Sequence, residues 1–579
     1  MGAVRIASTY RVTSQGYDEP GHIAAGMEWL DRGTYVIDPF HPPLSRVAMA
    51  LPLYLAGERL PTNLPDPDPV HPDTAANNNL SYTAVGNGIL YDSGHYLRNL
   101  SLARSGIVPF FLLGAAVVFL WTRKLFGDVA GVIAVALFTT LPAVLAFSGL
   151  AYTDLPAASM QFACIFVFVC WVEEPGWRST AALGCVAGLA FLTKFTTLLF
   201  VPCAAVAIIA CKWWMTSKTE LQPAKRKNLI PEVAVALLIA SLVSWGGYRF
   251  SRHTVRETLH ISPQTMPSFQ HFPAVVRPVA RYLVLRNPSL PAIEVMNGLA
   301  GAWTLNSPDS SSYLFGRSKT GAWWYFFIAA LALKTPIPFL ILCILGGWFS
   351  FKVARERGRW QVAAPLAAII ALLVASTRVH YDVGLRHFLV LYPLLAVVAA
   401  AGAVRLWSLR PDKKVLGYAV LAALLVAQSV SSFRAGNDYI SYFNAFAARD
   451  PSHDLVTGCD FDCGQDLFRL SAELKEKGAT HVVVAAWTSA ELNRIGLPPV
   501  GILAPFQPAS GWVAISARAR RLGNGPRIDY PPGAFSWLAR YRPVAQVGRT
   551  IRLYYIPGDD NAVRAANASV SSLPPGQRH

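Results

Sequence analysis

Ten apolar runs of membrane length, or close to it, constrain this chain more than any other feature. They lie at about 103–121, 129–148, 155–172, 180–193, 196–212, 230–248, 323–350, 362–376, 386–405 and 415–432. About 20 apolar residues cross a hydrocarbon core as a helix. In lipid every backbone N–H and C=O must be satisfied within the fold, which leaves helix as the local structure for such runs. Only 15% of the residues are charged, against roughly 25% in soluble domains. The expected fold class is an α-helical polytopic membrane protein.

The short loops orient it. Arg123 and Lys124 form one basic cluster; Lys212, Lys218, Lys225, Arg226 and Lys227 form another; Lys352, Arg355, Arg357 and Arg359 a third; Arg410, Lys413 and Lys414 a fourth. If each run crosses once, all of these clusters fall on one side, which is therefore cytoplasmic. The net charge of +17 is then absorbed by such loops and by a basic cavity for an anionic lipid head, with no nucleic-acid partner required. Residues 1–102, 148–154, 194–195, 249–322, 376–385 and everything after 433 face the opposite, extracytoplasmic side. No secretory signal is legible in residues 1–15. An extracytoplasmic start with no apolar run before it leads us to expect that a first transmembrane helix is missing from the chain.

Four regions follow. Residues 1–102 form a first outer loop; Pro43–Leu55 within it is about 20 Å long as a helix, too short to span, and is expected to lie in the interface. Residues 58–102 read as a polar loop, with turns at Pro61, Pro65, Pro67 and Pro69. Residues 103–432 form the membrane domain, with the outer loop 249–322. Residues 433–557 read as a small extracytoplasmic α/β domain with a helix at Leu467–Lys477, a strand at Thr480–Ala486 and a short helical piece at Glu491–Leu497; 558–579 read as a disordered tail. Walker, GxGxxG and HExxH patterns are absent, so nothing points to a nucleotide. Cys164, Cys170, Cys185, Cys203, Cys211 and Cys343 sit in apolar runs as small core residues. Cys459 and Cys463 lie in polar surroundings, where they could pair on an oxidising face or stay free; two ligands are too few for a metal site.

Several charges sit where charges are costly. Asp18 and Glu19 precede an amphipathic run, and Asp154 tips the turn between two spans on the same outer side, where the acids could meet in space. A carboxylate at a membrane surface faces water, binds a cation or does acid/base work. An all-carboxylate site could instead hold a divalent metal, although no cofactor is called for. Asp154 could orient an acceptor or hold Arg104. Lys194 interrupts an apolar hairpin, so it either faces a polar cavity or snorkels to the interface. Arg386 and His387 open a span from the outer side, as anion ligands or interface anchors. Lys334 lies deeper, lining a cavity or acting as a buried structural charge. His41 and Arg46 either border an acceptor entrance or are solvated.

A set of ordered fragments carries a resemblance. Tyr17-Asp18-Glu19-Pro20, His41-Pro42-Pro43-Leu44, Leu102-Ala103-Arg104, Tyr152-Thr153-Asp154-Leu155-Pro156 and Leu189-Ala190-Phe191-Leu192-Thr193-Lys194 resemble the dolichyl-phosphate-mannose–protein mannosyltransferase superfamily, including its bacterial aminoarabinose transferase branch. Tyr313-Leu314-Phe315-Gly316, Trp323-Trp324-Tyr325-Phe326, Leu333-Lys334-Thr335-Pro336 and Gly384-Leu385-Arg386-His387 look like the bacterial phospholipid-carrier-dependent glycosyltransferases of that group. Asp462-Cys463-Gly464-Gln465-Asp466 is similar to an Asp-Trp-Gly-Gln-Asp element of the C-terminal domains, with Cys463 in place of Trp.

The resemblance implies a GT-C fold and an inverting transfer from a polyprenyl-phosphate-sugar donor to a hydroxyl-bearing acceptor (protein, lipid or glycan) at the outer face of a bacterial inner membrane. It implies Asp18 as general base, Glu19 as its companion acid and Lys194 as a phosphate contact. Asp154, Arg386, His387, Lys334 and Arg104 complete the expected catalytic and donor-phosphate set, with His41 and Arg46 on the acceptor side. The alternative is a transporter or flippase of polyprenyl-linked glycans, which would predict inverted repeats around a midplane site; no repeat is visible in the sequence.

Overall fold

The computed structural model describes residues 1–62, 75–216, 229–259, 277–306, 311–380, 384–447, 458–522 and 533–558. The ten apolar runs are mainly helical, and two are broken at a proline. The run 129–148 divides into Asp128–Thr139 and Pro142–Ser148, bent by 66° where Pro142 removes an N–H. The run 323–350 divides into Phe326–Lys334 and Ile337–Arg357, with Thr335 extended ahead of Pro336 as the pre-proline position prefers. Among the described residues, six helices are long and apolar enough to span a membrane, or seven if the bent pair counts as one. The protein is an integral, multi-pass membrane protein.

The bundle has a centre and a rim. Leu391–Trp407 is buried from Leu391 through Ala403 and forms the axis. It packs closely on Ile337–Arg357 because Gly346 and Gly402 face each other's helix: a Cβ on Gly346 would lie 1.8 Å from the Val398 carbonyl oxygen. Small residues at such seams let helices approach where lipid gives no hydrophobic drive between them. The most apolar window of Asp154–Glu173 is 78% buried, that of Ile230–Gly247 only 11%, which places the first inside and the second against lipid.

The opening segment departs from the loop expected over 58–102. Its described part is mostly helical, as Ala75–Tyr91 and Tyr96–Ser105, the latter running on towards Phe126. Ala75–Tyr91 is rich in Asn and Gly and shows no apolar stripe in sequence. Its glycines serve contact: a Cβ on Gly86 would lie 2.0 Å from the Pro20 carbonyl oxygen. On the other side, a Cβ on Gly26 would lie 2.1 Å from the Arg46 carbonyl oxygen. The helix Glu19–Asp31, which follows Asp18, is thus clamped between Pro43–Leu55 and Ala75–Tyr91.

Beyond the bundle, a helix at Leu467–Glu476 accompanies a five-stranded mixed sheet: β1 Val482–Ala485, β2 Val500–Ile502, β3 Gly511–Ser516, β4 Ala545–Val547 and β5 Ile551–Ile556. The spatial order is β2-β1-β3-β5-β4; β1 is parallel to β2 and β3, and β5 antiparallel to β3 and β4. A 3-10 turn, Leu492–Arg494, falls in the expected short helical piece. The expected tail, 558–579, lies outside the described residues apart from Gly558. Asp462–Asp466 joins this domain to the opening segment. On the domain side, Asp466 Oδ2 accepts from the Thr550 hydroxyl (2.8 Å) and N–H (3.0 Å). On the other, the Cys463 and Gln465 carbonyls accept from the Tyr17 and Ser14 N–H groups at 3.1 and 3.0 Å.

Candidate active site

Four charged residues from distant points of the sequence form a chain of alternating sign at one end of the bundle. Asp18 Oδ2 accepts a hydrogen bond from Arg386 Nη1 at 2.7 Å, and the same Nη1 lies 3.8 Å from Asp154 Oδ2. Lys194 Nζ donates to Asp154 Oδ1 at 2.6 Å. Local structure presents each one. Asp18 precedes the helix Glu19–Asp31, whose Pro20 suits a first turn. Asp154 opens Asp154–Glu173, where a carboxylate meets the positive end of the helix dipole. Lys194 lies in the turn between Trp177–Phe191 and Thr197–Thr216. Arg386 and His387 ride the 3-10 turn Leu385–Phe388.

The cluster is closed at the back and open at the front. The side chains of Asp154, Lys194 and Arg386 are at most 9% exposed, whereas that of Asp18 is 31% exposed. Burial pushes the Asp18 carboxyl up, but the Arg386 guanidinium beside it outweighs that and holds it below the ordinary carboxylate value. Asp18 is therefore ionised near neutral pH. His387 Nδ1 stands 3.5 Å from Lys194 Nζ, which can only donate, so that nitrogen is the ring's acceptor.

Glu19, one residue on, points into a different environment. Both its side chain and that of Arg104 are fully buried. Arg104 Nε and Nη2 each reach a Glu19 oxygen at 2.8 Å. The Gly16 and Ala151 N–H groups add hydrogen bonds at 2.6 and 2.7 Å. The remaining Arg104 donors are taken by the Thr13 and Ser14 carbonyls at 3.0 and 2.9 Å. Arg104 is thus paired with Glu19 rather than Asp154, and neither residue reaches the Asp18–Lys194 chain.

His41 and Arg46 adjoin the cluster through His22. The His22 ring lies 5.2 Å from His41 and 6.0 Å from Tyr152, edge-on to both. Arg46 Nη2 pairs with Asp38 and lies 3.1 Å from His41 Nδ1, while Nη1 donates to the Tyr35 hydroxyl at 3.2 Å. Burial and then Arg46 push His22 down to about 4 and His41 well below its usual range, so both rings are neutral. Donor atoms of His22, Asp38 and His41 lie within 4.8 Å of one another, close enough to consider a metal. The Arg46 guanidinium already occupies Asp38 and faces His41, so a divalent ion would have to enter beside a fixed positive charge.

Lys334 is elsewhere. Its ammonium donates to the Ile440 carbonyl (2.6 Å) and to that of Asp460, tying the chain after the last span to the break in 323–350. Asp460 in turn accepts the Leu385 N–H at 2.7 Å and so steadies the turn that carries Arg386.

The sequence reading passed over two contributors, Tyr152 and Trp487, and left a third open. Tyr152 donates its hydroxyl to Cys463 Sγ (3.1 Å), accepts the Asp18 N–H (3.2 Å) and lies beneath the Arg386 guanidinium, 5.0 Å from ring centroid to Cζ. Cys459 and Cys463 are joined in a disulfide, settling that open pairing. Trp487, from the end of β1, stacks on Tyr17 with centroids 4.5 Å apart. Tyr152 stood in a quoted fragment, but nothing in its local pattern pointed to Asp18 or to a sulfur.

Residues 103–245 match the family model of dolichyl-phosphate-mannose-protein mannosyltransferase. The chain is similar to that family. The mannosyltransferase-like stretch carries Arg104, Asp154 and Lys194, while Asp18 and Arg386 lie outside it. Together with its spans, the match supports a membrane glycosyltransferase. Among solved structures, ArnT from Cupriavidus metallidurans bound to undecaprenyl phosphate aligns at 12% identity and TM-score 0.45, covering 95% of this chain and 96% of that one. The Archaeoglobus fulgidus oligosaccharyltransferase tethered to an acceptor peptide aligns at 12% identity and TM-score 0.46, covering 97% of this chain and 74% of that one. No curated protein matches the chain.

Proposed function

We propose that the protein transfers a sugar from a polyprenyl-phosphate donor to a hydroxyl acceptor at the outer end of the bundle, with inversion at the anomeric carbon. Asp18 takes the proton of the acceptor hydroxyl. The acceptor oxygen bonds to the anomeric carbon as the bond from that carbon to the phosphate oxygen breaks, and the electron pair leaves with the polyprenyl phosphate. Lys194 and Arg386 hold the leaving phosphate, with His387 beside them. Asp154 keeps both cations in place, and Glu19 and Arg104 brace the loop behind Asp18. His41 and Arg46 border the acceptor side, and Lys334 acts through the Arg386 turn.

The observation that carries the reading is the chain Asp18–Arg386–Asp154–Lys194, whose one partly exposed member is a carboxylate backed by two buried cations. Such an arrangement suits a transfer that creates a proton at one end and a phosphate charge at the other. It needs no nucleotide, since the donor bond supplies the driving force. The basic short loops support an extracytoplasmic position for this end of the bundle, which in a bacterium is the periplasmic side of the inner membrane. Reconstituted in vesicles with a polyprenyl-phosphate sugar labelled in the sugar, the protein should move label onto a hydroxyl acceptor and release polyprenyl phosphate. Intact donor crossing the bilayer with no bond cleavage would contradict the proposal and favour a flippase.

A further inference from the structure

Arg386 has one occupied position and one open one. Its Nη1 is shared between Asp18 at 2.7 Å and Asp154 at 3.8 Å, while its Nε–H is buried without a hydrogen-bond partner. Overall Arg386 is 8% exposed, so that donor was taken from water with nothing in return. Such an orphan is costly and points to a ligand acceptor. The charges lead to the same place. Two cations, Lys194 and Arg386, face two carboxylates, Asp18 and Asp154, so the cluster is neutral as it stands. A site that must seize a phosphate thus has both of its cations already engaged.

The two carboxylates differ in how easily they can let go. Asp154 is 3% exposed and bound by Lys194, and leaving would strand it in a dry interior. Asp18 is 31% exposed and stands at the start of a helix, so leaving the guanidinium would not strand it in a dry interior.

Resting on the reading of function above, we propose that the donor's phosphate displaces Asp18 from Arg386. The Asp18–Arg386 pair is then a lock: the base is held on the cation until the lipid phosphate takes its place, and only then is free to meet an acceptor hydroxyl. Binding is ordered, donor before acceptor. The phosphodiester also adds a negative charge beside Asp18, which makes its carboxylate a stronger base once released. A free base facing water with no donor present would serve no purpose, and the lock prevents that state.

Competition between two anions for one cation gives a sign that damage to the fold cannot imitate. The probe is a long-chain polyprenyl monophosphate carrying no sugar, titrated into the purified full chain in nanodiscs, with the unphosphorylated polyprenol as control. Asp18→Asn should bind the lipid phosphate about tenfold more tightly than the unaltered protein, with polyprenol binding unchanged. Arg386→Gln should bind it more weakly, and in the double variant the gain from Asp18→Asn should vanish; where Arg386→Gln fails to fold, the uncharged Arg386→Met replaces it. Equal or weaker binding by Asp18→Asn, in a protein whose binding still needs Arg386, would overturn the exchange and leave the proposed function standing. A gain that persists in the double variant would overturn it too. Binding by the unaltered protein that depends on neither the phosphate nor Arg386 would overturn the proposed function itself.

Discussion

Asp18 and Glu19 are adjacent, chemically alike and each bound to an arginine, yet the two ion pairs do different work. Glu19 and Arg104 are both fully buried, and between them they satisfy a bidentate fork, two loop N–H groups and two carbonyls. Asp18 and Arg386 leave a carboxylate partly in water and an arginine N–H with nothing to donate to. The first pair has no capacity left for a ligand; the second has it on both partners. A saturated buried pair is a brace, because removing either half strands the other in low dielectric. An under-satisfied pair at a solvent opening is where a substrate can compete. Charge alone does not separate the two cases; completeness of hydrogen bonding does.

The largest expected effect tests the open pair. Asp18→Asn should lower turnover on the order of 10²–10⁴-fold, the usual contribution of a general base, with little change in melting temperature; radiolabel transfer and thermal unfolding on one preparation check it. Glu19→Gln should instead cost about 3–5 kcal/mol of stability by leaving Arg104 uncompensated, read as a large fall in melting temperature or in folded yield. A third prediction concerns pH. His22 titrates near 6.5 when unfolded and at about 4 when folded, so stability falls as pH drops from about 6.5 to about 4, by about 3 kcal/mol. His22→Gln should flatten that slope in pH-dependent thermal melts; an unchanged slope would assign it to other groups, His41 foremost. The smallest effect is at Tyr152. Tyr152→Phe removes the hydroxyl between Asp18 and the disulfide, and should cost about 1 kcal/mol with a few-fold loss of turnover.

Much of the membrane domain was legible because an apolar run of span length has one satisfactory conformation in lipid. The clustering of Asp18, Asp154, Lys194 and Arg386 was legible for a related reason. Charges beside apolar spans are costly, and the basic loops put all of these residues on one side. The division of labour between Asp18 and Glu19 was not, since residues at i and i+1 share every local pattern and only the partner across the fold tells them apart. Arg104 was expected at the donor phosphate, or held by Asp154, and the structure pairs it with Glu19. The helices Ala75–Tyr91 and Tyr96–Ser105 fall largely in a stretch read as loop because its prolines and asparagines look like turn formers, while here Gly86 of the first permits backbone contact with Pro20. In the C-terminal sheet only β1 was anticipated, since strands of three to six residues carry too little alternation to stand out.

The contrast between the two carboxylates is tested most directly by turnover per folded molecule, measured for Asp18→Asn and Glu19→Gln reconstituted side by side. The account predicts that Asp18→Asn is folded and inactive, while whatever fraction of Glu19→Gln folds turns over within a few-fold of the unaltered protein. A stably folded Glu19→Gln that transfers no sugar, beside an Asp18→Asn that still does, would contradict it.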